Sequence, residues 1–321
     1  MLLQKLPKPF FVLAPMYDVT DTVFRQIIAG CSAPDLFFTE FVNTDGLQSP
    51  GRNKLLDKLL FTSKEKPIIA QIWGKQPDNF FKTARELVEM GFAGIDINMG
   101  CPDKTVLKNG CCCALINNRE LAVEIIKATQ KGAAGKVPVS VKTRLGFNEI
   151  DLSWHELLLN QKLDMLSVHG RTKKELSDVP ANWEMIGKIR ELRDKISSAT
   201  LIVGNGDVLS LKQGRELADK YQLDGIMIGK GVFSDPFVFS SKSPWDNYSI
   251  SKRLKLFKKH VKLFSKTWPG GEARIAQLNK FCKVYINGFD GAKELREQLM
   301  RCHSFKELLD LINSADKNHG S

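Results

Sequence analysis

Residues 67–100, PIIAQIWGKQPDNFFKTARELVEMGFAGIDINMG, carry one complete strand–helix–strand unit. Pro67–Gly74 is a short, almost unbroken apolar run, as expected for a strand buried on both faces. Residues 78–90 then place Phe81, Ala84, Leu87 and Val88 on one helical face. Gly94–Gly100 is the next strand-like run. Two strands joined by a crossover helix form a parallel pair.

The same alternation extends in both directions. Further strand-like runs are Pro9–Met16, Leu36–Val42, Val137–Thr143, Asp164–His169, Thr200–Asn205 and Gly225–Gly229. A helical pattern over residues 119–129 has Asn117 or Asn118 as its cap. Eight such units ending near residue 240 predict a (β/α)8 TIM barrel. A doubly wound open sheet is the alternative, weakened because no GxGxxG follows the first strand. After Pro244-Trp245 only helical patterns remain. The expected division is a barrel over 1–242 and a small all-helical domain over 243–321.

The chain has 321 residues, 43% hydrophobic and 26% charged, ordinary values for a globular protein. No apolar run is long enough for a membrane span, and prolines interrupt the N-terminus where a signal peptide needs its apolar stretch. Seven cysteines, three of them contiguous at 111–113 and none in a CxxC, suit neither a disulfide framework nor a metal site. Reduced thiols and a cytoplasmic location are expected. The net charge is +11, and residues 242–321 alone hold 16 Lys/Arg against 8 Asp/Glu. One helical stripe there carries Leu254, Phe257, Val261 and Phe264; another carries Lys255, Lys258, Lys259, Lys262 and Lys266. A localised basic face suits a polyanion such as RNA, and equally a solvated surface.

In such a barrel the reacting groups lie at the C-terminal strand ends. The third run carries Gln71, and the others finish at Pro15-Met16, Glu40, Asn98 to Cys101, Lys142 to Arg144, His169 to Arg171, Asn205-Gly206-Asp207, and Gly229-Lys230. Glycines in the seventh and eighth loops let backbone N–H groups approach a phosphate. Lys142 and His169 supply positive or donor groups to a ring that gains negative charge, and Gln71 offers a donor and an acceptor. Together these match the needs of an FMN pocket.

Seven segments then resemble the tRNA-dihydrouridine synthase family: APMYDVTDTVFR (14–25), TE (39–40), GIDINMGCP (94–102), VKTRLG (141–146), HGRT (169–172), GNGD (204–207) and DGIMIGKG (224–231). They occur in family order, and NMGCP and HGRT are the most discriminating. The resemblance implies reduction of the C5=C6 bond of selected tRNA uridines, using FMN recharged by NADPH. It implies that Pro15, Met16 and Tyr17 line the flavin and that Gln71 and Lys142 contact its ring. His169, Asn205, Gly206, Asp207, Gly229 and Lys230 would hold the ribityl chain and phosphate. Hydride would pass from flavin to C6, and Cys101 would protonate C5. Asn98, and secondarily Arg171, would hold the uracil, with Lys255, Lys258, Lys259 and Lys262 on tRNA phosphates. A monomer without metal is expected.

The chain departs from the family pattern at three places. Lys230 stands where the family has arginine, and lysine lacks the bidentate fork. Residues 173–180 lack the family's Gln and Tyr-x-Gly. Cys111, Cys112 and Cys113 replace small residues and read as packing residues. On the residues alone, three other readings stay open: a flavin barrel acting on a small molecule, a Schiff-base aldolase using Lys142, and a non-catalytic RNA-binding barrel.

Overall fold

A computed structural model describes residues 2–319. The chain is a (β/α)8 barrel with helices around it, followed by C-terminal helices. The strands are β1 (Phe10–Leu13), β2 (Phe37–Phe38), β3 (Val42–Asn43), β4 (Ile68–Trp73), β5 (Gly94–Met99), β6 (Val139–Arg144), β7 (Met165–His169), β8 (Leu201–Asn205) and β9 (Gly225–Ile228). Their order is β1-β9-β8-β7-β6-β5-β4-β2, with β3 also on β4. The ring closes because Val12 bridges in parallel to Leu36, with Leu13 N–H on the Leu36 carbonyl at 3.2 Å.

The run at 36–42 is two short strands rather than one. Thr39 breaks it: its hydroxyl accepts the Gln71 N–H at 3.0 Å and donates to the Glu40 carbonyl at 2.7 Å. A side chain thus occupies a ladder position, and the backbone leaves the strand path before rejoining β4 at Val42.

Side chains alternate in and out along each strand. Phe10, Val12, Ala14, Leu36, Phe38, Ile69, Met165, Leu201, Val203 and Met227 form one buried cluster that fills the lower barrel. Stepping up by two residues on the same parity changes the chemistry. Ile69 is followed by Gln71, Gly94 by Asp96 and Asn98, Ser140 by Lys142, Met165 by Ser167 and His169, and Val203 by Asn205. The core is apolar at the bottom and polar at the strand ends.

The surrounding helices begin where capping chemistry permits. Pro77 opens Pro77–Glu89 at the first turn. The Asn118 side chain accepts the Leu121 N–H to start Arg119–Ala133. That helix runs through Gly132 because the two helices pack closely there: a Cβ on Gly132 would lie 2.4 Å from the Phe81 carbonyl oxygen.

The chain divides into two compact units, residues 1–22 with 34–229, and residues 23–33 with 230–321. The break at 229/230 precedes the composition change at 243 because Phe233, Phe237 and Trp245 already pack within the second unit. There Phe24 lies 4.7 Å from Phe281 and 6.3 Å from Phe233, and Phe237 lies 6.3 Å from Trp245. Its longest helix, Ile250–Thr267, buries Leu254, Phe257, Val261 and Phe264. His260 lies on the same side, bonded to the Tyr285 hydroxyl at 3.0 Å. Burial pushes its imidazole down to about 3, so it is neutral. No helix among the described residues is long and apolar enough to cross a membrane.

Candidate active site

Cys101 lies just past the end of β5 in a turn built by Asn98. The Asn98 side-chain oxygen accepts both the Gly100 and Cys101 N–H groups, each at 3.0 Å. The Cys101 carbonyl accepts the Cys113 N–H at 3.4 Å. Asp103 caps the short helix that follows, accepting from Thr105 and Val106. Cys101 is partly exposed and packs against the cluster of Val106, Cys111 and Cys112, as does Trp73. Burial raises its pKa above the ordinary value, so it is a protonated thiol at neutral pH. Cys111, Cys112 and Cys113 are all buried.

Across the strand ladder Asn98 is the register partner of Lys142. Burial first, then the Arg144 cation, lowers the Lys142 ammonium to about 8, with Asp96 acting the other way. It is therefore mainly protonated at pH 7. Lys142 makes no hydrogen bond or ion pair among the described residues. Glu40, the carboxylate at the second strand end, is committed to Lys58 at 2.9 Å and to the Asp18 N–H at 2.6 Å. Arg144 is spent on the carbonyls of Gly100, Thr172 and Leu176 at 2.9–3.0 Å. Beside Lys142 in register, the Ser167 hydroxyl is buried with no partner. A partly buried charge without a counterion is costly unless a ligand supplies one.

Gln71 is buried one layer down. It donates to Asp96 at 2.7 Å and accepts from Asn98 at 3.0 Å. Ser140 holds the other Asp96 oxygen at 2.5 Å. Burial pushes Asp96 up to about 6. Ser140 and Ser167 do not stand out in the sequence by motif or composition, and Asp96, although inside GIDINMGCP, takes no role from the resemblance. The signal that could have found them is parity: all three share the inward face of Asn98 and Lys142.

Just past the end of β8 Gly206 has φ +135°. A Cβ there would meet Ala181 Cβ at 2.6 Å and His169 Cδ2 at 3.4 Å, so only glycine fits. Asp207 follows in the left-handed region at φ 55°. Its carboxylate accepts from Arg171 at 2.5 Å and from the Ala181 N–H at 2.8 Å. The rest of the Arg171 guanidinium reaches the Val179 carbonyl at 2.5 Å and stands 3.3 Å from His169 Nε2. Arg171 is thus buried and spent within the protein. Asn205 donates to the Met227 carbonyl at 2.8 Å, tying the end of β8 to β9. Gly229 faces Ala14 and Met16, whose nearest atoms lie 3.5 and 3.8 Å from an added Cβ. Room for a side chain exists there, unlike at Gly206.

In the first loop Pro15 is buried and Met16 partly so, with Met16 N–H on the Thr20 hydroxyl at 2.9 Å. Tyr17 is 52% exposed, 3.8 Å beneath the Lys58 ammonium. Lys230 is exposed and precedes the short helix Gly231–Ser234 in the second unit. On Ile250–Thr267, Lys255, Lys259, Lys262 and Lys266 reach the surface in one row with Lys252. Lys258 turns aside and donates to the Asn313 side chain at 2.5 Å.

The barrel mouth thus joins an unpaired ammonium, an orphaned buried hydroxyl, amide groups, a protonated thiol and a glycine turn. That set fits a planar ring that acquires negative charge and carries an anionic tail. No group of three or more His, Cys, Asp or Glu among the described residues could hold a metal ion.

Comparison with known proteins agrees in family and fold. The family model for dihydrouridine synthase matches residues 12–319. A probable tRNA-dihydrouridine synthase of Staphylococcus aureus (strain COL) is 46% identical over 312 residues, 96% of this chain and 94% of that protein. The probable tRNA-dihydrouridine synthase 2 of Bacillus subtilis (strain 168) is 44% identical over 321 residues, covering 98% and 97%. Among solved structures, morphinone reductase superposes with a TM-score of 0.54 at 10% identity, covering 74% of this chain and 86% of that one. At that identity the likeness concerns the barrel fold.

Proposed function

The chain belongs to the dihydrouridine synthase family, and from that premise we propose that it reduces the C5=C6 bond of uridines in tRNA, with FMN as bound cofactor and NADPH as reductant. It is an oxidoreductase. The observation that carries the site assignment is the protonated Cys101 thiol, held by Asn98 next to the unpaired Lys142.

FMN, when bound, supplies the hydride that reaches C6 of the uracil ring. Lys142 is the residue suited to the charge the cofactor ring gains, because no carboxylate among the described residues pairs with its ammonium. Gln71 offers a neighbouring N–H. His169, Asn205, Gly206, Gly229 and Lys230 are assigned to the ribityl and phosphate end, with Asp207 shaping that turn through Arg171. Pro15 and Met16 are assigned to the ring's flank; the exposure of Tyr17 favours the rim over the ring.

Hydride addition at C6 leaves negative charge shared between C5 and the C4 carbonyl oxygen of uracil. Cys101 is the acid for C5. Burial keeps its proton on sulfur at neutral pH, as an acid requires. Asn98 has one N–H unspent, suited to a uracil carbonyl. The target base must leave its stack, which costs a few kcal/mol. The surface lysines Lys255, Lys259 and Lys262 are assigned to tRNA phosphates, which offset that cost. Lys258, bonded to Asn313, has a smaller share.

Mapping dihydrouridine in tRNA from cells lacking this gene tests the proposal. Loss of dihydrouridine at defined positions, restored by the wild-type gene, is expected. Unchanged dihydrouridine at every position would refute it.

A further inference from the structure

A single hydrogen-bond chain runs from the barrel interior to the proposed acid. Ser140 Oγ donates to Asp96 Oδ1 at 2.5 Å, and Gln71 Nε2 donates to Asp96 Oδ2 at 2.7 Å. Asn98 Nδ2 donates to Gln71 Oε1 at 3.0 Å. The backbone N–H groups of Gly100 and Cys101 donate to Asn98 Oδ1 at 3.0 Å. Asp96, Gln71, Ser140 and Asn98 are all buried.

A side-chain amide can face either way, because its oxygen and nitrogen are nearly the same size. Here neither amide can turn. A carboxylate only accepts, so it demands the Gln71 NH2. That leaves the Gln71 oxygen facing Asn98, which must present its own NH2. The Asn98 oxygen then faces the backbone N–H groups, which only donate. The two ends impose the same sense on the middle. Inverting either amide would oppose donor to donor or acceptor to acceptor in a buried site.

We infer that Asp96 is a positioning residue for the reaction: its carboxylate fixes the sense of this chain, and through Gln71 and Asn98 it holds the Cys101 turn and leaves both amides offering donors to the barrel mouth. Each amide keeps one N–H unspent, while the Asn98 oxygen is filled by two backbone N–H groups and the Gln71 oxygen is turned toward Asn98. The mouth therefore favours acceptor groups, such as the carbonyl oxygens of a flavin or a pyrimidine. Asp96 itself reaches Cys101 only through two other residues. The functional consequence rests on Cys101 being the proton donor.

The test is a double-mutant cycle on the full-length, flavin-loaded protein. Site-resolved mass spectrometry measures the rate at which iodoacetamide alkylates Cys101 in Asp96→Asn, Asn98→Ala and the double variant. Asp96→Asn keeps the shape and removes the acceptor-only end. Each single variant should change the Cys101 rate by at least about threefold, and the double should match the larger single rather than their product. An unchanged rate in Asp96→Asn, or effects that multiply, would overturn the assignment. If Asp96→Asn does not fold, Asp96→Ser replaces it in the same cycle. Alkylation needs no tRNA, so the chain can fail or hold independently of the uridine reading. Under that reading, reoxidation by tRNA in Asp96→Asn loses at least about tenfold in kcat with KM within about twofold.

Discussion

The Asn98 side-chain oxygen accepts the backbone N–H of Cys101 at 3.0 Å, so the residue that ends the strand also fixes the turn carrying the thiol. Cys101→Ala leaves that backbone bond in place and removes only the sulfur. The variant should retain flavin and its reduction by NADPH. Its reoxidation by tRNA should fall by about 10²–10⁴, the range of a lost general acid. Stopped-flow absorbance of the flavin reads both half-reactions.

Lys142 supports a second prediction, because its charge is useful to a ligand and costly without one. Its pKa drops from 10.5 to about 8 on folding. Between those values the unfolded chain holds a proton that the folded chain lacks, so this group's contribution to stability rises with pH across that window. At pH 7 the partly buried ammonium is a cost. Lys142→Met should therefore raise the melting temperature of the flavin-free protein at pH 7, by about 2–4 °C per kcal/mol relieved. The gain should shrink by pH 10. Flavin affinity should fall in the same variant, and in wild type it should weaken above about pH 8. Thermal melts at the two pH values, with and without FMN, check all of these.

Arg171 distinguishes two roles for one residue. Its guanidinium is shared between Asp207 and the Val179 carbonyl, a planar geometry that lysine does not reproduce. Arg171→Lys should loosen the turn at Gly206 and weaken FMN binding by about tenfold, or ~1.4 kcal/mol. The KM for tRNA should change little. A tRNA defect with unchanged FMN affinity would return Arg171 to direct substrate binding.

The lysine row should engage tRNA phosphates. Lys255→Glu, Lys259→Glu and Lys262→Glu together should weaken tRNA binding and flatten its salt dependence, with nearly one unit of slope removed for each phosphate no longer neutralised. NADPH oxidation by oxygen should be unaffected. Lys258→Glu alone should do less to binding, since its ammonium is held by Asn313. Fluorescence titration of tRNA over a range of salt concentrations separates these cases.

Gly132→Ala tests the packing. The added methyl would lie 2.4 Å from the Phe81 carbonyl oxygen and 2.7 Å from Ala84 Cβ. Backbone cannot yield as a flexible side chain does, so a loss of about 1–3 kcal/mol is expected. Urea denaturation measures it.

Much of the fold is legible because barrel strands announce themselves as short apolar runs with polar ends. Gln71, Asn98, Lys142 and His169 follow from that pattern alone. What the sequence conceals depends on single side-chain bonds. Nothing in Leu36–Val42 says that the Thr39 hydroxyl takes a ladder position. Arg171 sits in a loop motif and reads as a secondary uracil contact until Asp207 and the Val179 carbonyl are seen to hold its guanidinium. Asp96 is hidden for another reason: an acid between two isoleucines in a buried strand becomes interpretable only when Gln71 and Ser140 are seen as its neighbours in register. The Lys258 bond likewise needs Asn313, 55 positions away in sequence.

The most direct measurement is a single turnover without oxygen. Protein reduced by NADPH is mixed with unmodified tRNA, the flavin is followed by absorbance, and the tRNA is digested and weighed by mass spectrometry. Wild type should reoxidise with one dihydrouridine formed per flavin, and Cys101→Ala should do so far more slowly. Reduced flavin that persists in the presence of tRNA, or dihydrouridine formed by Cys101→Ala at the wild-type rate, would contradict the assignment of this barrel mouth.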